Sequence, residues 1–178
     1  ILLASLVVLG LLCLFSGTLF PETPVDEKSI PEFSSADIAW MLVSSAMVLI
    51  MTPGLGFFYG GMVRKKNVIS TILQSFIAMG VITVVWVVIG FGLAFGDSIG
   101  GIIGNPSKFL FFSNVGTKSA WSLAPTIPLI LFAVFQMKFA IITPALISGA
   151  FAERIRFWGY LLFIILFSLF IYSPLAHA

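Results

Sequence analysis

The sequence predicts an all-α, polytopic membrane bundle, and three observations carry that reading. Hydrophobic residues fill 60% of the 178 positions and charged residues only 9%, against roughly a quarter charged in soluble domains. Mean hydropathy is +1.15. The apolar residues fall in long runs that match the roughly 20 residues a helix needs to cross a bilayer. These runs lack the roughly ten-residue alternation of a membrane barrel. Helices are then the form left in lipid, because they pair every backbone N–H and C=O within the segment.

Residues 2–15 are apolar apart from Ser5 and Gly10. Residues 1–20 therefore read as a signal-peptide-like segment, either cleaved or retained as a short anchor. The lone Cys13 permits no disulfide within the chain, and no Cys/His spacing suggests a metal site or cofactor. Residues 21–36 hold four of the seven acidic residues and three of the nine prolines, an exposed extracytoplasmic linker. Ser34 or Ser35 is suited to cap the helix that follows, and Asp37 puts negative charge in its first turn.

Four long apolar segments come next, at about 37–62, 68–96, 122–151 and 157–176. The connection after the first carries Arg64, Lys65 and Lys66, and the one after the third carries Arg154 and Arg156. Two spans separate these connections, so both lie on one side. The positive-inside rule makes that side, the loops at 64–67 and 152–156, cytoplasmic. The linker 21–36, the loop at 97–121 and the C-terminal end are then outside, and the whole is a multi-pass protein of the cell membrane. The first residue is Ile1 and the last run ends at Ala178 without a polar tail, so the chain reads as truncated at both ends. The few basic residues sit in short clusters between apolar runs, which gives no reason to expect nucleic acid.

Within the spans a few residues carry information. Gly56 and Gly60, and again Gly92 and Gly96, stand four apart and suit close packing. Pro53, Pro128 and Pro144 lie inside or near apolar segments and shape them. Phe132, Phe135 and Phe139 fall at i, i+3 and i+7 on one helix face. They could pack against helices or line a path where ring faces attract a cation. Lys138, with Gln136 near it, is a charge at membrane depth, either functional or satisfied in a cavity. Glu153, Arg154 and Arg156 read as a membrane-edge cluster beside an interfacial belt of Phe157, Trp158 and Tyr160. His177 reads as a helix-end residue rather than a proton relay. There is no Ser/His/Asp set, P-loop or HExxH motif, so passage or sensing suits the chain better than covalent chemistry.

Two stretches go further. Pro53-Gly54-Leu55-Gly56-Phe57-Phe58-Tyr59-Gly60-Gly61-Met62-Val63-Arg64-Lys65-Lys66-Asn67 is one. The other runs Phe135-Gln136-Met137-Lys138-Phe139-Ala140-Ile141-Ile142-Thr143-Pro144-Ala145-Leu146, then Gly149-Ala150-Phe151-Ala152-Glu153-Arg154-Ile155-Arg156-Phe157. Both resemble hallmark stretches of the Amt/Mep ammonium transporter family, in the right order, over about residues 37–178. The resemblance implies that residues 37–178 are the first four spans of an eleven-helix fold, which assembles as a homotrimer with one narrow apolar pore per protomer. It implies ammonium or ammonia as the cargo and allows a cytoplasmic PII-type regulator. Carried over residue by residue, Phe139 matches one of two stacked gate phenylalanines, Phe135 a vestibule aromatic and Leu146 a pore-lining position. The family's vestibule tryptophan would fall just after Ala178. Its buried aspartate, twin pore histidines and second gate phenylalanine would lie further on, and His177 is not one of those histidines. An ammonium sensor on the same fold, or a fragment that moves nothing by itself, are the competing expectations.

Overall fold

A computed structural model describes residues 32–178. The signal-like segment 1–20, Cys13 and the linker up to residue 31 lie outside the described residues.

Helix α1 spans Ser35–Met62. It begins where the Ser34 hydroxyl accepts from the Asp37 N–H at 3.3 Å, with Asp37 in the first turn. A short 3₁₀ turn, Lys65–Asn67, leads into α2, Val68–Val85. A π-helical turn at Trp86–Gly90 carries that rod into α3, Phe91–Phe95. The connection at 97–121 is not featureless. Strands β1 (Ser98–Ile99) and β2 (Ile103–Gly104) form a small hairpin, turned by Gly100 and Gly101 at φ +64° and +74°. Strands β3 (Ala120–Trp121) and β4 (Ala124–Pro128) form a second antiparallel pair. Helix α4 is Leu129–Phe151. Helix α5, Phe157–Phe167, continues through a π-helical turn at Ser168–Tyr172 into α6, Ser173–His177.

Among the described residues four rods are long and apolar enough to span a membrane: Ser35–Met62, Lys65–Phe95, Leu129–Phe151 and Phe157–His177. Three match the expected segments within a few residues. The third starts later than the expected 122. Pro125 and Pro128 disfavour helical geometry in the residues before them, and Pro128 itself holds ψ 143° as the helix N-cap. The stretch 124–128 is strand instead.

Packing follows the small residues. Gly56 and Gly60 are buried where α1 meets α2. A Cβ at Gly56 would lie 3.1 Å from the Ser75 Cβ, and one at Gly60 only 2.9 Å from the Ile72 Cγ1. Gly92 and Gly96 also serve close packing, but their partner is loop backbone. A Cβ at Gly92 would sit 2.7 Å from the Pro106 Cα, and one at Gly96 would strike the Asn105 carbonyl.

The core is built on rings. Trp86 is fully buried and donates its indole N–H to the Ala133 carbonyl of α4 at 3.1 Å. Around it, Phe91, Phe95 and Tyr172 meet the indole edge-on at centroid distances of 5.9, 6.2 and 6.1 Å. Tyr172 reaches it from the second π turn, so the two irregular turns meet at this cluster. The connection at 97–121 adds Phe109, Phe112 and Trp121. In lipid, such packing supplies much of the attraction between helices, since apolar burial gains little there. Tyr160 belongs with the core. It is fully buried, and its hydroxyl donates to the Gln74 carbonyl at 3.3 Å. The expected interfacial belt is therefore Phe157 and Trp158, which is 79% exposed.

The ends of the rods sort into two faces. Arg64 and Asn67 meet Glu153, so the two basic connections share one face, as their spacing required. At the other face the Ser34 N–H donates to the Thr126 carbonyl at 3.0 Å. There too, His177 Nδ1 pairs with the Ala94 carbonyl at 3.1 Å. A carbonyl can only accept, so that nitrogen carries the proton and His177 caps the end of α3, a helix-end role.

Candidate functional site, the aromatic face of helix α4

Along one face of helix α4, Phe139 and Leu146 are exposed, Phe135 is half-buried and Ile142 between them is buried. Phe135, Phe139 and Leu146 lie at i, i+4 and i+11, which a 3.6-residue period places on one face. The Phe135 and Phe139 rings meet edge-on, 5.1 Å apart with planes at 72°. Phe139 is 38% exposed and Leu146 51% exposed. At about 1.5 Å per residue, the stripe covers roughly 16 Å of the approximately 30 Å apolar thickness of a bilayer.

The third ring of the sequence stripe does not join them. Phe132 stacks on Trp121 with planes 10° apart and meets Phe95 at 5.1 Å. It packs against the aromatic core around Trp86, and Phe135 and Phe139 form a separate pair. Lys138, on the adjacent side of the helix, is half-buried, with no carboxylate within 4 Å among the described residues.

Two further contacts fix the lower end of the stripe. Pro144 sits inside α4, so its turn lacks one backbone donor. Two residues on, the Leu146 carbonyl accepts from the Tyr59 hydroxyl at 2.6 Å, which ties α1 to α4 at membrane depth. Gly149 makes room for that ring, since a Cβ there would fall 2.6 Å from the Tyr59 Cε1. Below lies a cavity of about 300 Å³ lined by Tyr59, Met62, Val63, Gly149, Ala150, Ala152 and Glu153. Tyr59 stood inside a quoted motif without a role. Its signal was the hydroxyl, since a phenol in an apolar run needs a partner.

Glu153 closes that cavity and is more than an edge charge. Its backbone is left-handed at φ +66°. One carboxyl oxygen accepts from the Arg64 N–H at 2.8 Å and from Asn67 Nδ2 at 2.9 Å, and the other lies 3.3 Å from Arg64 Nε. The Asn67 and Arg64 hydrogen bonds, then the Arg64 and Lys66 charges, hold the carboxyl below the usual carboxylate range.

Among the described residues no group of three or more His, Cys, Asp or Glu could hold a metal. What they offer is an aromatic and apolar face on a membrane-length helix, within the class of polytopic helical membrane proteins. Comparison with known proteins names the group within that class. The family model described as "Ammonium Transporter Family" matches residues 39–178. A Mycobacterium tuberculosis protein named "Ammonium transporter" is 50% identical over 154 residues, covering 79% of this chain and 32% of the relative. The crystal structure of Candida albicans Mep2 superposes with a TM-score of 0.74 at 30% identity, covering 86% of this chain and 32% of that one. A structure titled "Sensor Amt Protein" gives a TM-score of 0.69 at 28% identity, over 79% and 33% of the two chains. The chain belongs to the ammonium transporter family. It spans about a third of the length of the curated relatives it matches.

Proposed function

We propose that the intact protein passes ammonium or ammonia across the cell membrane along the Phe135–Phe139–Leu146 face of α4, and that residues 37–178 are the first four spans of its transporter domain. The observation that carries this reading is the edge-on Phe135–Phe139 ring pair, with Phe139 exposed and the exposed, apolar Leu146 about two turns further along the same face. Ring faces replace part of the hydration of a small cation, by up to about 2 kcal/mol each when desolvated. An apolar path beyond them strongly penalises a net charge. Phe135 then acts at recruitment, Phe139 as a gate and Leu146 in the lining, with later helices closing the path.

In this reading the Arg64/Arg154 face is cytoplasmic, because basic connections stay inside. The linker 21–36 and the His177 end lie outside, residues 1–20 act as a signal or anchor, and the protein is a homotrimer open to a PII-type regulator. The Sensor Amt neighbour favours a second reading, an ammonium sensor on the same fold. Proteoliposomes holding the full-length protein separate the two. An ammonium gradient should drive internal pH change and methylammonium uptake well above protein-free vesicles. Ammonium binding with no flux would instead make the protein a sensor.

A further inference from the structure

We propose that Lys138 is a specificity-determining residue of the path along α4, a fixed cation beside the Phe135–Phe139 pair that weakens its hold on ammonium ions and leaves neutral ammonia unaffected. This role rests on the solute path proposed above, since a site that moves no ammonium has no cation to repel. Lys138 lies nine positions past Leu129, the first residue of α4, or about 13.5 Å along the helix axis. Its four-carbon stem, about 6 Å long, cannot carry the ammonium group back to that end. The charge therefore stays at membrane depth, where a cation is costly and is kept for a partner or a function. The side chain is half-buried, and no carboxylate lies within 4 Å of it among the described residues.

The helix directs that charge toward the rings. At about 100° per residue, Lys138 sits roughly 60° round the helix from Phe135, on the flank of the ring pair. Further along the same flank, Ile142 and Ala145 are only 6% and 0% exposed, so the inward course is closed. Long side chains on a helix lean toward its N-terminus, here toward Phe135 and away from Leu146. Residues three apart hold their Cβ atoms about 5–6 Å from each other. With the length of the stem added, the ammonium group stands about 10 Å from a cation seated on the rings. At an effective dielectric constant of about 20, repulsion over that distance weakens cation binding on the order of tenfold. A neutral molecule feels none of it. Ring faces then attract the ion while Lys138 keeps it from settling, which favours release of the neutral form into the apolar stretch below.

The test measures methylammonium uptake by the full-length protein in proteoliposomes over a range of substrate concentrations. Lys138→Met should lower KM about tenfold and lower the maximal rate with it, the pattern of lost ground-state destabilisation. A lysine that only supported the fold would not bind substrate more tightly when removed. Lys138→Arg keeps the charge and should leave both constants near the wild-type values. Lys118→Gln, which removes an exposed cation from the connection at 97–121, should leave KM unchanged. An unchanged or raised KM in Lys138→Met would overturn the proposal, because the charge would then be answered by an acid elsewhere in the protein. So would an equal fall in Lys118→Gln, which would make the effect one of net charge. Failure of both Lys138→Met and Lys138→Gln to assemble, read by size-exclusion chromatography in detergent, would also overturn it, since a cation without a partner is not needed for folding. Absence of uptake by the wild-type protein is a separate result, which sinks the transport reading itself and this role with it.

Discussion

Replacing single glycines with alanine should separate backbone contacts from side-chain contacts in this bundle. At Gly92 the new Cβ would lie 2.7 Å from the Pro106 Cα and 3.0 Å from its carbonyl oxygen. That neighbour is backbone with a fixed φ, in a 3₁₀ turn capped by Asn105 Oδ1 on the Ser107 N–H at 3.1 Å. It has little room to retreat, so overpacking of about 1–3 kcal/mol is expected, against a gain of up to about 1 kcal/mol from alanine's helix propensity. The balance is a loss of up to about 3 kcal/mol. At Gly60 the first atoms met are the Ile72 Cγ1 and Cδ1, at 2.9 and 3.1 Å. A rotamer change relieves them, so propensity and strain should nearly cancel, within about 0.5 kcal/mol. Thermal inactivation of the full-length protein in detergent, at one scan rate, ranks the variants. Irreversible unfolding makes the midpoint a kinetic quantity, which still ranks variants under matched conditions. Gly92→Ala should fall clearly below both wild type and Gly60→Ala. Equal midpoints for the two variants would refute the close backbone approach of the 104–106 loop.

Two further outcomes follow from the same contacts. The Glu153 carboxyl is held below its usual range by Asn67 and Arg64, so its contribution to the clasp is present above the ordinary carboxylate range and lost as pH falls through the lowered value. Protection of the 64–67 amides, relative to their intrinsic exchange rate at each pH, should fall with acid in wild type but lose that dependence in Glu153→Gln; identical acid profiles would contradict the clasp. Trp86→Phe removes the N–H bond to Ala133 and part of a fully buried ring, and should cost about 1–3 kcal/mol of stability. A thermal midpoint unchanged from wild type would mean the indole contact carries no weight.

Much of the architecture was legible because lipid makes sequence periods strict. Continuous apolar runs can only be spans, and three of the four were located within a few residues. The cap at Ser34 and the close packing at Gly56 and Gly60 also followed from local chemistry. What escaped was set at long range or by small backbone conflicts. The start of α4 moved because Pro125 and Pro128 outweigh hydropathy. Phe132 shares a face with Phe135, yet Trp121 and Phe95, from other segments, claim it. Tyr160 looked interfacial next to Trp158, but the helix turns it to Gln74 in the core. The Glu153 clasp joins residues 86 and 89 positions apart, beyond the reach of any local pattern. The ring pair was visible as spacing. That Phe139 stays exposed while Phe132 packs into the core is a product of packing.

The most direct test of the central claim is methylammonium uptake by the full-length protein carrying Phe139→Ala, with Phe132→Leu as the comparison on the same helix. If the Phe139 ring lends a desolvating cation about 2 kcal/mol, its loss should slow uptake at low substrate by about thirtyfold. Phe132→Leu should keep most of the rate once corrected for protein in the membrane. Undiminished uptake in Phe139→Ala, or an equal loss from Phe132→Leu, would contradict a path along this face of α4.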